Sequence, residues 1–257
     1  MNLSELRWVL QHARKSIRDE IAFKRARLGD WRRFWATYKK YRTLAEAAER
    51  SQLLDRMFPC LGDDLPETPV DPVYFYQDSW AFGLIARCRP NLHVDVGSHH
   101  HFVGLLSKVV PVTMVDIRPL PLTLESLSFQ PGSITRMPFP DLSVVSVSSL
   151  CVVEHIGLGR YGDPLDPNGT EKAIGELKRI VAPGGNLYIS LPLDDENYTF
   201  FNAHRALKEE YVTRLFEPFE IVERRYILGS RFVVEPSAGF RVGCFHLRAP
   251  GSSQGKN

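Results

Sequence analysis

The residues best suited to chemistry begin in HVDVGSHHHFVG, residues 93–104, where an apolar run ends in Asp95, turns at Gly97 and Ser98 and enters a helical pattern. Small residues at such a turn let the backbone come close to a ligand, and the start of a helix offers free N–H groups to a negatively charged one. A second apolar run ends in Asp116, about 20 residues further on, at the distance where a carboxylate can accept both hydroxyls of a ribose. The pair suggests a nucleoside-type cofactor, with an ordinary strand-to-helix turn as the plain alternative. GSHHHFVG is not G-x-G-x-x-G, which disfavours a nicotinamide dehydrogenase.

Two further polar groups stand out. The segment from Gly157 to Gly169 holds Arg160, Tyr161, Asp163, Asp166 and Asn168 among glycines and prolines, too polar and too punctuated for a core element. It is expected to be an ordered loop over a site. Arg160 there suits an anionic acceptor such as a uronate or sugar phosphate, with Asp163 gripping hydroxyls; an internal Arg160–Asp163 clasp is the alternative. Asn202, His204 and Arg205 make the second group. His99, His100 and His101 invite a metal reading, but successive residues on a helix diverge and cannot all grasp one ion. A polar turn lining a cleft is the expectation, with no metal. Four cysteines, Cys60, Cys88, Cys151 and Cys244, lie far apart without a C-x-x-C pair and read as reduced, mostly buried thiols.

The elements that must position these residues are legible from periodicity. Short apolar runs at 92–96, 112–116, 143–149 and 186–191, some separated by helical stretches near 101–109 and 170–181, carry the strand–crossover–strand signature of a parallel sheet. Residues 219–228 and 240–247 have no helix-length insert between them and read as an antiparallel pair. A helix is expected at 79–88. Ahead of this domain, placed at 73–250, lie a proline- and acid-rich linker at 58–72 and a helical arm at 1–57, without proline and with one glycine. The tail at 251–257 reads as disordered.

Composition narrows the partners. Of the 257 residues 44% are hydrophobic and 24% charged, with net charge +2, as in soluble globular chains. The charge is uneven: residues 1–50 carry 13 Lys/Arg and 6 Asp/Glu, against 19 and 24 in the remainder. Trp31, Phe34, Trp35, Tyr38 and Tyr41 fall on one face of the arm among basic residues. That face is expected to pack on the main domain or on a second copy of the arm, which leaves a homo-oligomer open, or to meet an anionic membrane surface or a protein partner. No nucleic-acid motif accompanies the charges. No spanning segment or signal peptide is evident, so the expected location is cytoplasmic, with membrane association left open through the arm.

GSITRMPFPDLSVVSVSSLCVVEHI at 132–156 and ELKRIVAPGGNLYISLP at 176–192 resemble the class I S-adenosylmethionine-dependent methyltransferases. That resemblance implies a Rossmann-like α/β fold, a seven-stranded and mostly parallel sheet with a reversed last strand. It places Asp95 and Gly97 in the cofactor loop, Asp116 at the ribose, Ser133 and Ile134 beside the adenine and Leu150 under the sulfonium, with Ser98 in the same turn. His155 then falls at the reaction centre, and His155 or His204 would take the acceptor's proton, while Arg160, Tyr161, Asp163, Asn202 and Arg205 would meet the acceptor. The loop departs from the superfamily pattern at His99 and His101, which stand where glycines are usual.

More narrowly, VDIRPL at 115–120, EHIGLGRYGDPLDPNGT at 154–170 and FNAHR at 201–205 resemble an uncharacterised methyltransferase-like family associated with bacterial surface-polysaccharide gene clusters. The expected activity is methyl transfer to a small-molecule or glycan-type acceptor. A catalytically silent scaffold of the same fold in a glycan-assembly complex is the competing expectation.

Overall fold

The computed structural model describes residues 3–48 and 58–251, with side chains from residue 24 onward except residue 25. The chain divides into two compact units, Met1–Pro69 and Val70–Asn257. The first contains helix α1, Leu3–Ala47. On it Trp31, Phe34, Trp35 and Tyr38 form a continuous ladder of ring contacts, centroids 5.4 to 6.5 Å apart. Trp31 and Trp35 stay partly exposed. Among the described residues no helix is long and apolar enough to cross a membrane. Apart from Gly251, the tail expected at 251–257 lies outside the described residues.

The second unit opens with α2, Pro72–Cys88, seven residues earlier than the expected helix. Asp71 explains the difference: its carboxylate caps the backbone N–H groups of Val73 and Tyr74, and Pro72 occupies the first helical position, where no N–H is needed. Then follow β1 His93–Val96, α3 His100–Leu106, β2 Val112–Asp116, β3 Leu127–Pro131 and β4 Val144–Leu150. A 3-10 turn at Val153–His155 and the polar loop lead to α4 Gly169–Ile180 and β5 Val181–Leu193. A hairpin of β6 Tyr198–Phe200 and β7 His204–Ala206 precedes α5 Glu209–Phe216, β8 Glu220–Leu228, β9 Arg231–Val233 and β10 Arg241–Arg248.

The main sheet runs β3-β2-β1-β4-β5-β10-β8-β9. β3 through β5 pair in parallel, and β10 is antiparallel to both β5 and β8. The short β9 adds an eighth strand antiparallel to β8. β1 and β4 are buried along almost their whole length, with one exposed residue in β4, and the sheet is covered on both faces by two apolar clusters. One face packs α4 and α5 through Ile174, Leu177 and Phe216; the other packs α2 and α3 through Ile85, Phe102 and Leu106. The order reverses between β1 and β4, which opens a crevice at their carboxyl ends. Of the cysteines, Cys244 alone is fully buried, while Cys60 and Cys88 are exposed, contrary to the expectation of mostly buried thiols. Cys88 ends α2 at the surface and Cys60 lies in the irregular segment after α1.

Candidate active site

The crevice forms a cleft of about 510 Å³, within the range usual for small-ligand sites. Its walls come from the tips of β1, β2 and β4 and from the polar loop. Gly97 lines it with φ +71°, and a β-carbon there would lie 3.1 Å from Val152 Cγ1, so a side chain would be strained and crowded. Ser98 is buried in the turn, and its Oγ accepts the Leu150 N–H at 3.0 Å, tying the β1 turn to the tip of β4. Asp116, Ser133, Ile134, Leu150, His155, Tyr161 and Asp163 line the same cleft.

Asp95 lies beneath this surface. Fully buried, it accepts the Ser148 hydroxyl at 2.5 Å and the Ser98 N–H at 3.1 Å. Ser148 also meets His93 Nε2, and His93 Nδ1 meets Ser146, each at 2.8 Å. Burial pushes Asp95 up to about 6 and His93 down to about 3. Asp95 therefore shapes the turn from within. The turn's own amides are also engaged inside the fold: Gly97 N–H donates to Val115 O and Ser98 N–H to Asp95.

Asp116 presents its carboxylate to the cleft but shares it with Arg118, through the backbone N–H at 2.8 Å and the guanidinium at 3.4 Å. Arg118 also lies 4.5 Å from the centre of the Tyr161 ring, so one cation bridges the β2 tip and the polar loop. Ser133 hydrogen-bonds Thr135 at 2.9 Å, and both line the wall.

His99 lines the wall with its ring 5.0 Å from that of Tyr74, whereas His101 is outside the cleft lining. The rings narrow the cleft without filling it. His99 is the cap of α3, with extended backbone at φ −64° and ψ 135°, so the three histidines do not diverge as on a regular helix. One ligand atom from each lies within 4.8 Å of the others, which corrects the expectation of divergence.

At the opposite wall, His155 Nδ1 lies 2.5 Å from Ala203 O, in the turn between β6 and β7. A carbonyl only accepts, so Nδ1 carries the proton and Nε2 the lone pair. Burial is the main reason that the His155 pKa falls below its usual value, with the Arg160 charge adding to it. Glu154 is buried behind it, with Oε1 3.7 Å from His155 Nε2 and Oε2 without a hydrogen-bond partner among the described residues. Burial pushes this carboxyl up to about 8.

The remaining expected site residues fall outside the cleft lining. Arg160 donates to Ala203 O at 3.2 Å and lies 5.1 Å from the Tyr161 ring centre. His204 faces His155 with ring centroids 6.5 Å apart. Asn202 turns the hairpin in a left-handed conformation. Arg205 is buried, donating to the carbonyls of Ile156, Asp166 and Pro167 and to Thr170 Oγ1. Its guanidinium thus holds the ends of the polar loop together. Asp163 accepts the Gly157 and Tyr161 N–H groups, so it staples the loop to itself and forms no clasp with Arg160. Sequence reasoning missed Tyr74, Arg118 and Glu154. Arg118 carried a signal, two residues past Asp116, whereas Glu154 sits inside an apolar run and Tyr74 on an ordinary helix face.

Residues 142–228 match the family model described as "Caenorhabditis protein of unknown function, DUF268". No curated protein matches in sequence. Among solved structures, the chain is similar to the 1,6-didemethyltoxoflavin-N1-methyltransferase of Burkholderia thailandensis, bound to 1,6-didemethyltoxoflavin and S-adenosylhomocysteine. That pair is 14% identical over 85% of this chain and 90% of the other, with TM-score 0.51. The N-methyltransferase NodS of Bradyrhizobium japonicum WM9, in complex with S-adenosylhomocysteine, is 17% identical over 77% and 95%, with TM-score 0.52. This is the Rossmann-like methyltransferase fold. The [4+2]-cyclase SpnF is also similar, at 13% identity over 68% and 82% with TM-score 0.51. At these identities the likeness is one of fold, and a fold does not by itself fix a reaction.

Proposed function

We propose that this chain is an S-adenosylmethionine-dependent methyltransferase with a small-molecule acceptor. The observation that carries the reading is the open cleft at the reversal of strand order, floored by Gly97 and edged by the Asp116 carboxylate. The residues present fit the cofactor: a β-carbon at Gly97 would intrude on Val152 and approach Asp116 Oδ2, so the turn keeps clear the space a nucleoside needs. Asp116 would hold the ribose hydroxyls once they replace the Arg118 guanidinium, with Ser133 and Ile134 beside the base and Leu150 beneath the reacting end. The bound cofactor supplies an electrophilic methyl group on a sulfonium.

What the chain must add is alignment and proton removal. His155 Nε2 is the basic atom for an acceptor hydroxyl or amine, because Ala203 fixes the proton on Nδ1. Tyr161 stands edge-on to the His155 ring at 5.6 Å. The finer reading, a glycan-type acceptor in cytoplasmic surface-polysaccharide assembly with the basic arm as a peripheral attachment, is supported by the sequence resemblance. The silent-scaffold reading draws on the His99 ring at the wall and on the hold of Arg118 on Asp116.

Titration calorimetry with S-adenosylhomocysteine separates the two. Saturable binding that weakens on Asp116→Ala by about tenfold or more is the expected result. No heat at millimolar ligand overturns the enzymatic reading.

A further inference from the structure

An unbroken chain of rings leaves the cleft at His155. Tyr161 meets His155 edge-on at 5.6 Å, His155 meets His204 at 6.5 Å, and His204 meets Phe200 at 5.0 Å and Phe240 at 6.0 Å; Tyr198 follows Phe200 at 6.0 Å. The hairpin register explains this gathering. Tyr198 and Phe200 are two apart and share one face of β6, and His204 is paired across from Phe200. Phe240 arrives from the segment before β10. These rings are not core: Tyr161 is 37% exposed, Tyr198 46%, Phe200 40% and Phe240 53%. A run of exposed rings beside a cleft is a candidate binding surface.

Its chemistry selects the occupant. Successive rings are tilted by 38° to 88°, giving a stepped ledge with no parallel-walled slot for a flat aromatic. Polar groups are interleaved with the rings, His204 and the neighbouring Asn202 and Arg160, which does not suit a hydrocarbon chain. Arg160, held by Ala203 O at 3.2 Å next to His204, places a cation at the edge of the ledge. A ligand with an apolar C–H face and an edge of hydroxyls or a carboxylate matches both features. We propose that this ring ledge is the acceptor subsite and that it binds a saccharide, laid on Phe200 and Phe240 with its polar edge toward Arg160 and Asn202. The proposal rests on the cleft being the methyl-transfer site, and it supplies the acceptor class from the ledge itself.

The test exposes the full chain to an array of neutral and acidic oligosaccharides, followed by saturation-transfer NMR on each hit with the Phe200→Ala and Phe240→Ala variants alongside. Both rings are partly exposed and lie on separate elements, so at least one variant is expected to keep the parent melting temperature. The expected result is a saccharide whose affinity falls about fivefold in a folded variant. An array without hits overturns the proposal, as does a hit that binds both variants unchanged. Tetramethylammonium and p-cresol serve as counter-probes, and tighter binding of either than of every saccharide also overturns it. S-adenosylhomocysteine binding is measured separately. A blank array with the nucleoside bound sinks the ledge alone, whereas a bound saccharide with no nucleoside binding sinks the enzymatic reading and with it the acceptor role, leaving a saccharide site only.

Discussion

Glu154 Oε1 stands 3.7 Å from His155 Nε2, inside a wall where the carboxyl is almost wholly buried. The pair is too far apart for a hydrogen bond, and burial alone dominates the behaviour of the carboxyl. With the carboxyl raised from 4.5 to about 8, the folded chain keeps a proton that the unfolded chain releases. The associated stability is complete below pH 4.5 and is lost as pH rises through about 8. Glu154→Gln, neutral at every pH, removes this slope. Thermal melts at pH 5 and pH 9 should show the variant gaining on the parent at pH 9, by an amount on the order of a few kcal/mol. At pH 7 the parent carboxyl is mostly protonated, so turnover of the variant should stay within about threefold of the parent. A parallel pH dependence in both proteins would contradict the assignment.

Gly157 has φ +82°, and a β-carbon there would come 2.1 Å from Asp166 O. No side-chain adjustment relieves a clash with backbone. Gly157→Ala should therefore open the polar loop and cost about 2 kcal/mol or more. Limited proteolysis between residues 157 and 169 checks it, with faster cleavage expected in the variant.

Arg205 is the buried counterpart of that constraint. Arg205→Met keeps much of the volume but leaves the Ile156 and Pro167 carbonyls without their donor, while Asp166 O keeps only the Gly169 N–H, at a cost of about 3 kcal/mol. Chemical denaturation measures the loss. Arg205→Lys should recover only part of it, since one ammonium cannot reproduce the fork.

Ser148→Ala removes the hydroxyl between His93 and Asp95. Asp95 Oδ2 then loses its donor, and the carboxyl titrates higher than about 6. A raised folded-state pKa means stability lost as pH rises through it, so the deficit of the variant should be smallest near pH 4 and grow to about 1–3 kcal/mol at pH 8. Equilibrium unfolding at the two pH values decides the matter.

Much of the sheet was legible because β1, β2, β4 and β5 contain runs buried by both layers, and continuous apolar residues announce that burial. β3 was not, since LSFQP is only half-buried at the edge and ends in proline. The hairpin of β6 and β7 was missed because three-residue strands carry too little alternation to register. Within the site, Gly97, Asp116, His155 and Tyr161 could be read because each follows the tip of a strand or stands in a punctuated loop. The ties of Arg205 and Asp163 to backbone groups could not, as they depend on where the loop's ends meet. The same is true of Tyr74 against His99, which needs α2 to pass the β1 turn.

The hydrogen bond from His155 to Ala203 joins the cleft wall to a hairpin that belongs to neither the β1 nor the β2 tip. If the cleft and the ring ledge act as proposed, cofactor and acceptor are met by separable stretches of chain. On the proposed reading, drift in residues 198–206 would change what the hairpin meets while the turn after β1 stays as it is.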